Sequence, residues 1–277
     1  MGSQSLVGPT VDGEFLPDLP ENLFKTGQFH PDVDVITGVT SNEGALFAMI
    51  MSRDIVKDGI SLELFESIVR NGMIYAREKS KLVEDLVLFE FTDSADSDNK
   101  IDMRQLMMDC FSYSGFVAPA MLEAKALAKG GRQTYVYVFD HRPVYSPIPD
   151  WLGVVHGLDM AYVFGAPFKN IPEPFVNAMV TKYSEIEKGL SLYIMRLWTD
   201  FAKYGSPNPP DSDPSPVTWP KFTEEEQEYL VLDLKPRLER RYEADGVAFW
   251  NEIVPKMVEL TQTEKTNTGE TAAKDEL

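Results

Sequence analysis

The feature that most limits how this chain can fold is a short apolar run near its middle, Tyr135-Val136-Tyr137-Val138-Phe139, set within Thr134 to His141. β-Branched and aromatic residues packed this densely over so few positions make a strand. A second run, Val33-Asp34-Val35-Ile36-Thr37-Gly38-Val39, ends at Ser41-Asn42 and has the character of a buried strand. A third, Tyr229 to Leu234, lies far downstream. Between and around the strands, apolar residues fall at helical spacing. The resulting helices are Gly44 to Met51, residues 61–76, Lys79 to Thr92, Ile101 to Phe111 and Phe116 to Ala128. One long helix is expected over 176–204, with Leu190, Ile194, Leu197, Trp198 and Phe201 on one stripe and Gly205 closing it. A last helix is expected from about Leu238 to Leu260. Strands separated by helices give an α/β layer architecture. Three strands are few for this many helices, so part of the central sheet is expected outside this chain.

At 277 residues the chain can bury a sizeable core as one large domain or two small ones. Its hydrophobic and aromatic content argues against wholesale disorder. A formal charge of -18 argues against nucleic acid as a partner and disfavours an anionic membrane surface. The single cysteine, Cys110, leaves no internal disulfide. Three histidines without a metal-binding spacing argue against a zinc site, and no cofactor is expected. No apolar run approaches the roughly 20 residues of a membrane span. The N-terminus lacks the basic and apolar regions of a secretory signal. Residues 261–277 read as a disordered polar tail ending in Lys274-Asp275-Glu276-Leu277. That ending is the address for retention in the endoplasmic reticulum lumen, read by the KDEL receptor. It requires a signal peptide that these residues do not supply.

Two segments carry possible chemistry. Gly38-Val39-Thr40-Ser41-Asn42-Glu43-Gly44 places an acid after a buried strand and before a helix, and functional groups collect at such strand ends. His156-Gly157-Leu158-Asp159 follows the central strand, with a glycine able to make the turn that projects an imidazole. Acid first and histidine later is the order of the last two members of a Ser…Asp/Glu…His triad. On spacing alone, Glu43 could equally be a helix N-terminal acid and His156 a hydrogen-bonded loop histidine. His30 precedes the acid and is in the wrong order, while His141 competes as a base from a strand end. Phe47 and Phe65 fit either a pocket wall or a packed core.

From about residue 8 to 260 the chain resembles the type-B carboxylesterases and cholinesterases. The resemblance rests on ordered pieces, among them Val11-Asp12-Gly13, Asn42-Glu43-Gly44, Tyr135 to Arg142, His156 to Asp159, Val163-Phe164-Gly165-Ala166-Pro167, Trp198 to Ala202, Trp219-Pro220 and Phe249-Trp250. It implies the C-terminal part of an α/β-hydrolase fold over residues 1–260, with Glu43 and His156 as the acid and base of a Ser-Glu-His triad. Asp159 falls on an acidic position that the family uses for support. The substrate class implied is a small carboxylic ester. The family's G-x-S-x-G nucleophile elbow occurs nowhere in the sequence, nor does its Gly-Gly oxyanion loop. The chain alone is therefore expected to be inactive. Val117 and Val247 stand where cholinesterases carry a disulfide, which places the chain nearer the non-cholinergic carboxylesterases. The competing reading is a non-catalytic, cholinesterase-like adhesion or interaction protein.

Overall fold

The computed structural model describes residues 9–30, 32–71, 80–92, 99–169, 179–210 and 215–262, so the polar tail lies almost wholly outside the described residues. These fall into two compact units, one of residues 1–46 and 120–242, the other of residues 47–119 and 243–277.

The first unit is built on a mixed four-stranded sheet of order β1-β2-β3-β4. Strands β1 (Val35–Thr40), β2 (Thr134–Phe139) and β3 (Glu228–Leu232) run parallel, and β4 (Arg237–Arg240) pairs antiparallel with β3. Every residue of β2 is buried, the usual state of a parallel strand covered on both faces. Its cover includes Trp219, whose indole N–H donates to the Val136 carbonyl at 3.0 Å. That ring meets Tyr135 edge-on at 5.8 Å and Trp198 at 5.9 Å. A further strand-to-ring fit occurs between β1 and β2, where Gly38 sits opposite Tyr137. Any side chain at Gly38 would collide with the Tyr137 ring and carbonyl.

The edges of the sheet differ. On β4, Arg237 pairs with Glu239 and Arg240 with Glu226 and Glu228. Charge of this kind blunts an edge against further pairing. On β1, the edge sequence is Val-Ile-Thr-Gly-Val-Thr with no charge.

Helix α1 (Pro20–Thr26) forms within the opening loop. After β1 comes α2 (Ala45–Met51). The second unit contains α3 (Arg53–Asp58), α4 (Leu62–Arg70), α5 (Lys81–Thr92) and α6 (Lys100–Ser112). A π-helical turn, Tyr113–Val117, joins α6 to α7 (Ala118–Lys129), which leads back to β2. Ser52 and Ser61 cap α3 and α4 by accepting backbone N–H groups. Phe65 is fully buried and Phe47 stacks on Phe111 at 4.5 Å, so both pack against their own unit.

Two expectations need correction. The long helix, α9 (Glu185–Tyr204), starts at 185 and not 176, because Ser184 and Glu187 form a reciprocal capping box there. Immediately before it, Lys182 bridges antiparallel to Tyr145, while residues 170–178 lie outside the described residues. Leu238 and Glu239 belong to β4, a fourth strand, and not to the last helix. The turn through Pro236 and the Arg240–Glu228 salt bridge across the strands accompany the hairpin. Helix therefore resumes only at α10 (Ala244–Ala248), followed by a π-turn, Phe249–Ile253, and a final helical stretch, α11, over 254–262. The short helix α8 (Leu158–Val163) was also not anticipated.

Gly38→Ala should lower the urea midpoint by the equivalent of about 1–3 kcal/mol, the range for overpacking a rigid site. Gly115→Ala, whose new methyl meets nothing within 4 Å, should leave the midpoint unchanged or raise it. Equal midpoints for Gly38→Ala and the parent would contradict the fit.

Candidate functional site

The chain leaves β1 at Thr40 and turns through Ser41, Asn42, Glu43 and Gly44 into α2. Glu43 is only 4% exposed. Its Oε1 accepts the Thr40 N–H at 2.6 Å, folding the carboxylate back onto the strand end. The other oxygen, Oε2, lies 2.6 Å from Nδ1 of His156. A carboxylate can only accept, so this contact places the proton on Nδ1 and makes Nε2 the nitrogen available for acid–base exchange.

His156 comes from the loop after β2. Val154 and Val155 before it and Leu158 after it are buried, and they anchor the loop to the core. Gly157 follows at φ +79°, a left-handed conformation suited to glycine, and directs the chain into α8. The imidazole keeps 40% of its surface exposed while Glu43 is enclosed. The hydrogen bond to Glu43 raises the imidazole pKa, partial burial opposes this, and the charges of Glu43 and Asp159 add to the rise. Asp159, in the first turn of α8, accepts the Tyr137 hydroxyl at 2.7 Å. Burial first and Asp159 second hold that phenol well above its ordinary range.

A family model described as "Carboxylesterase family" matches residues 2–250, a span that contains both Glu43 and His156. The chain belongs to the carboxylesterase family. Human neuroligin-2 is 34% identical over 267 residues, covering 91% of this chain and 31% of that protein. The rat and mouse neuroligin-2 proteins match with the same figures. The chain thus spans about a third of the length of these curated relatives. The four-stranded mixed sheet with its helices agrees with part of an α/β-hydrolase fold.

Within this carboxylesterase-family chain the other histidines are engaged differently. His141 is 3% exposed, with Nε2 at 3.2 Å from Glu187 and Nδ1 at 3.3 Å from Asp233. Its ring is set edge-on against Tyr162. Both nitrogens are thereby committed to carboxylates, Glu187 buried in the core and Asp233 partly exposed at its margin. His30 is exposed, and its Nδ1 accepts the Asp32 N–H. Neither is bonded to Glu43.

Glu187 is a polar centre that the strand and helix periodicities of the sequence do not mark. It is fully buried, and it collects bonds from Ser184, His141, Val144 and Tyr162. Burial pushes its carboxyl up, but the Ser184, His141 and Val144 bonds outweigh that and hold it below the ordinary value. The Ser184-x-x-Glu187 spacing is a capping-box signature and is visible in the sequence. Its role is to tie α9 to the loop after β2. Among the described residues no cluster of His, Cys, Asp and Glu could hold a metal ion.

Because folding raises the His156 pKa above about 6.5, the pair stabilises the protein fully below that pH. The contribution is lost as pH rises through the folded value. The urea-midpoint advantage of the parent over His156→Gln should therefore be larger near about pH 6 than near about pH 9. A gap independent of pH, or one that grows with pH, would contradict the pairing.

Proposed function

We propose that this chain carries the acid and base of a carboxylic-ester hydrolase that acts through a Ser-Glu-His triad. The observation that carries the proposal is the 2.6 Å contact between His156 Nδ1 and a buried carboxylate whose second oxygen is fixed by a backbone N–H. In this reading the nucleophilic serine and the oxyanion donors come from polypeptide outside these 277 residues. Nε2 of His156 takes the serine proton as the hydroxyl attacks the ester carbonyl, then returns it to the leaving alcohol. Glu43 holds the reactive tautomer and stabilises the imidazolium. Water enters by the same route to release the carboxylic acid. No cofactor enters the reaction.

A protein-interaction role is the second reading, and the 34% identity to neuroligin-2 favours it. Residues at a site without catalytic work are free to drift, and an intact Glu43–His156 pair speaks for chemistry. The uncharged β1 edge is compatible with both.

The chain alone should give negligible hydrolysis of p-nitrophenyl butyrate and no fluorophosphonate labelling. Joined to a segment carrying a G-x-S-x-G elbow, it should show both. His156→Gln should then cut kcat by roughly 10³-fold or more. Serine labelling of the 277-residue chain by itself would overturn the assignment. An intact protein that hydrolyses nothing yet binds a protein partner would favour the second reading.

The same proposal places the protein in the endoplasmic reticulum lumen through Lys274-Asp275-Glu276-Leu277. Deleting those four residues from a signal-bearing form should send it to the medium. Unchanged retention would remove the lumenal assignment.

A further inference from the structure

The acid and the base sit on separate connections of the sheet, and the histidine stands at the end of the long loop from Asp140 to Val155. A flexible glutamate side chain cannot by itself hold such a loop in register, because loop ends pay conformational entropy to stay in place. The structure shows a second tie one residue before the acid. The Asn42 side-chain amide donates to the Leu152 carbonyl at 3.0 Å. The Asn42 backbone N–H donates to the Val154 carbonyl at 3.0 Å. Asn42 and Val155 thereby form an isolated parallel bridge next to His156.

The loop is shaped to present those two carbonyls. Gly153, between them, has φ +61° and ψ -133°, a conformation that side-chain-bearing residues rarely adopt. Its Cα faces Asn42 closely enough that an added Cβ would lie 3.6 Å from the Asn42 Cβ. Leu152, Val154 and Val155 are 0%, 3% and 0% exposed, so the tied loop is fixed to the core beneath it.

We propose that Asn42, with Gly153 opposite it, is a positioning residue that sets the Glu43–His156 geometry by clasping the histidine loop to the acid turn. This assignment rests on the acid–base reading of the pair. The clasp works at short range because Asn42 precedes Glu43 and Val155 precedes His156, so an error at the tie passes directly to the reacting groups. An asparagine suits this position, since its amide donates to a carbonyl while its backbone carbonyl accepts the Ala45 N–H at 3.3 Å in the turn into α2.

The test is the titration midpoint of the His156 imidazole, read by NMR in the full chain and its variants. Among the described residues, the ionisable groups that shift that imidazole include Glu43 from the β1–α2 turn and Asp159 from α8, with Tyr137 of β2 bonded to Asp159. Neither Asn42→Ala nor Gly153→Ala changes any of them. Each should lower the midpoint by about 0.5 pH unit or more as the Glu43 bond loosens. The double variant should show less than the sum of the two shifts, since both act through one tie. Asn42→Ser, a shorter donor, should give an intermediate midpoint and keeps the test open where Asn42→Ala does not fold. In the enzyme joined to its nucleophile segment, kcat should fall roughly 10–100-fold with KM little changed. A raised parent midpoint that folded Asn42 and Gly153 variants leave unmoved would overturn the clasp alone. A parent midpoint at the ordinary histidine value would overturn the acid–base reading with it.

Discussion

The carboxylate of Glu43 has both of its oxygens assigned. One accepts the last N–H of β1 and the other meets the imidazole of His156. A buried carboxylate is costly unless its charge is met by hydrogen bonds or a partner. Here both are present, so the acid can stay enclosed while its partner faces solvent on 40% of its surface. An enclosed carboxylate behind an accessible ring is the arrangement that the proposed acid–base role requires. The position of Glu43 depends in turn on the end of β1, and hence on the register of β1 against β2.

That register is fixed by packing that has nothing to do with chemistry. Gly38 leaves the space that the Tyr137 ring fills, and Tyr137 reaches past it to bond Asp159 beside His156. A one-residue slip would turn each side chain to the other face. Trp198 and Trp219 each pack edge to face with the Tyr137 ring of β2. The Glu187 centre holds α9 against the loop that leads from β2 toward the histidine. The site is therefore set by the sheet, by one glycine and by a buried polar knot.

Much of this was legible in the sequence. The three parallel strands were readable because dense β-branched and aromatic runs have few alternatives, whereas the acid-then-histidine order left Glu43 and His156 open and only the resemblance to the type-B carboxylesterases singled them out. The 2.6 Å contact was not legible, since it depends on a tertiary approach across 113 residues of chain. β4 was missed because Arg237-Leu238-Glu239-Arg240 has no run of apolar residues, and its ladder with β3, which the Arg240–Glu228 pair crosses, exists only once the hairpin is closed. The start of α9 was overextended because its apolar stripe masked the stronger signal of the Ser184 cap. Asn42 was visible as part of a motif, but nothing local showed that it reaches Leu152.

The most direct test of the central claim is the protonation state of His156 seen by nitrogen-15 and proton NMR at about pH 8. A Glu43–His156 pair of this geometry requires the Nδ1–H tautomer with a strongly downfield, slowly exchanging proton that Glu43→Gln abolishes. A His156 that exchanges freely between tautomers, with no downfield proton and no response to Glu43→Gln, would contradict the account.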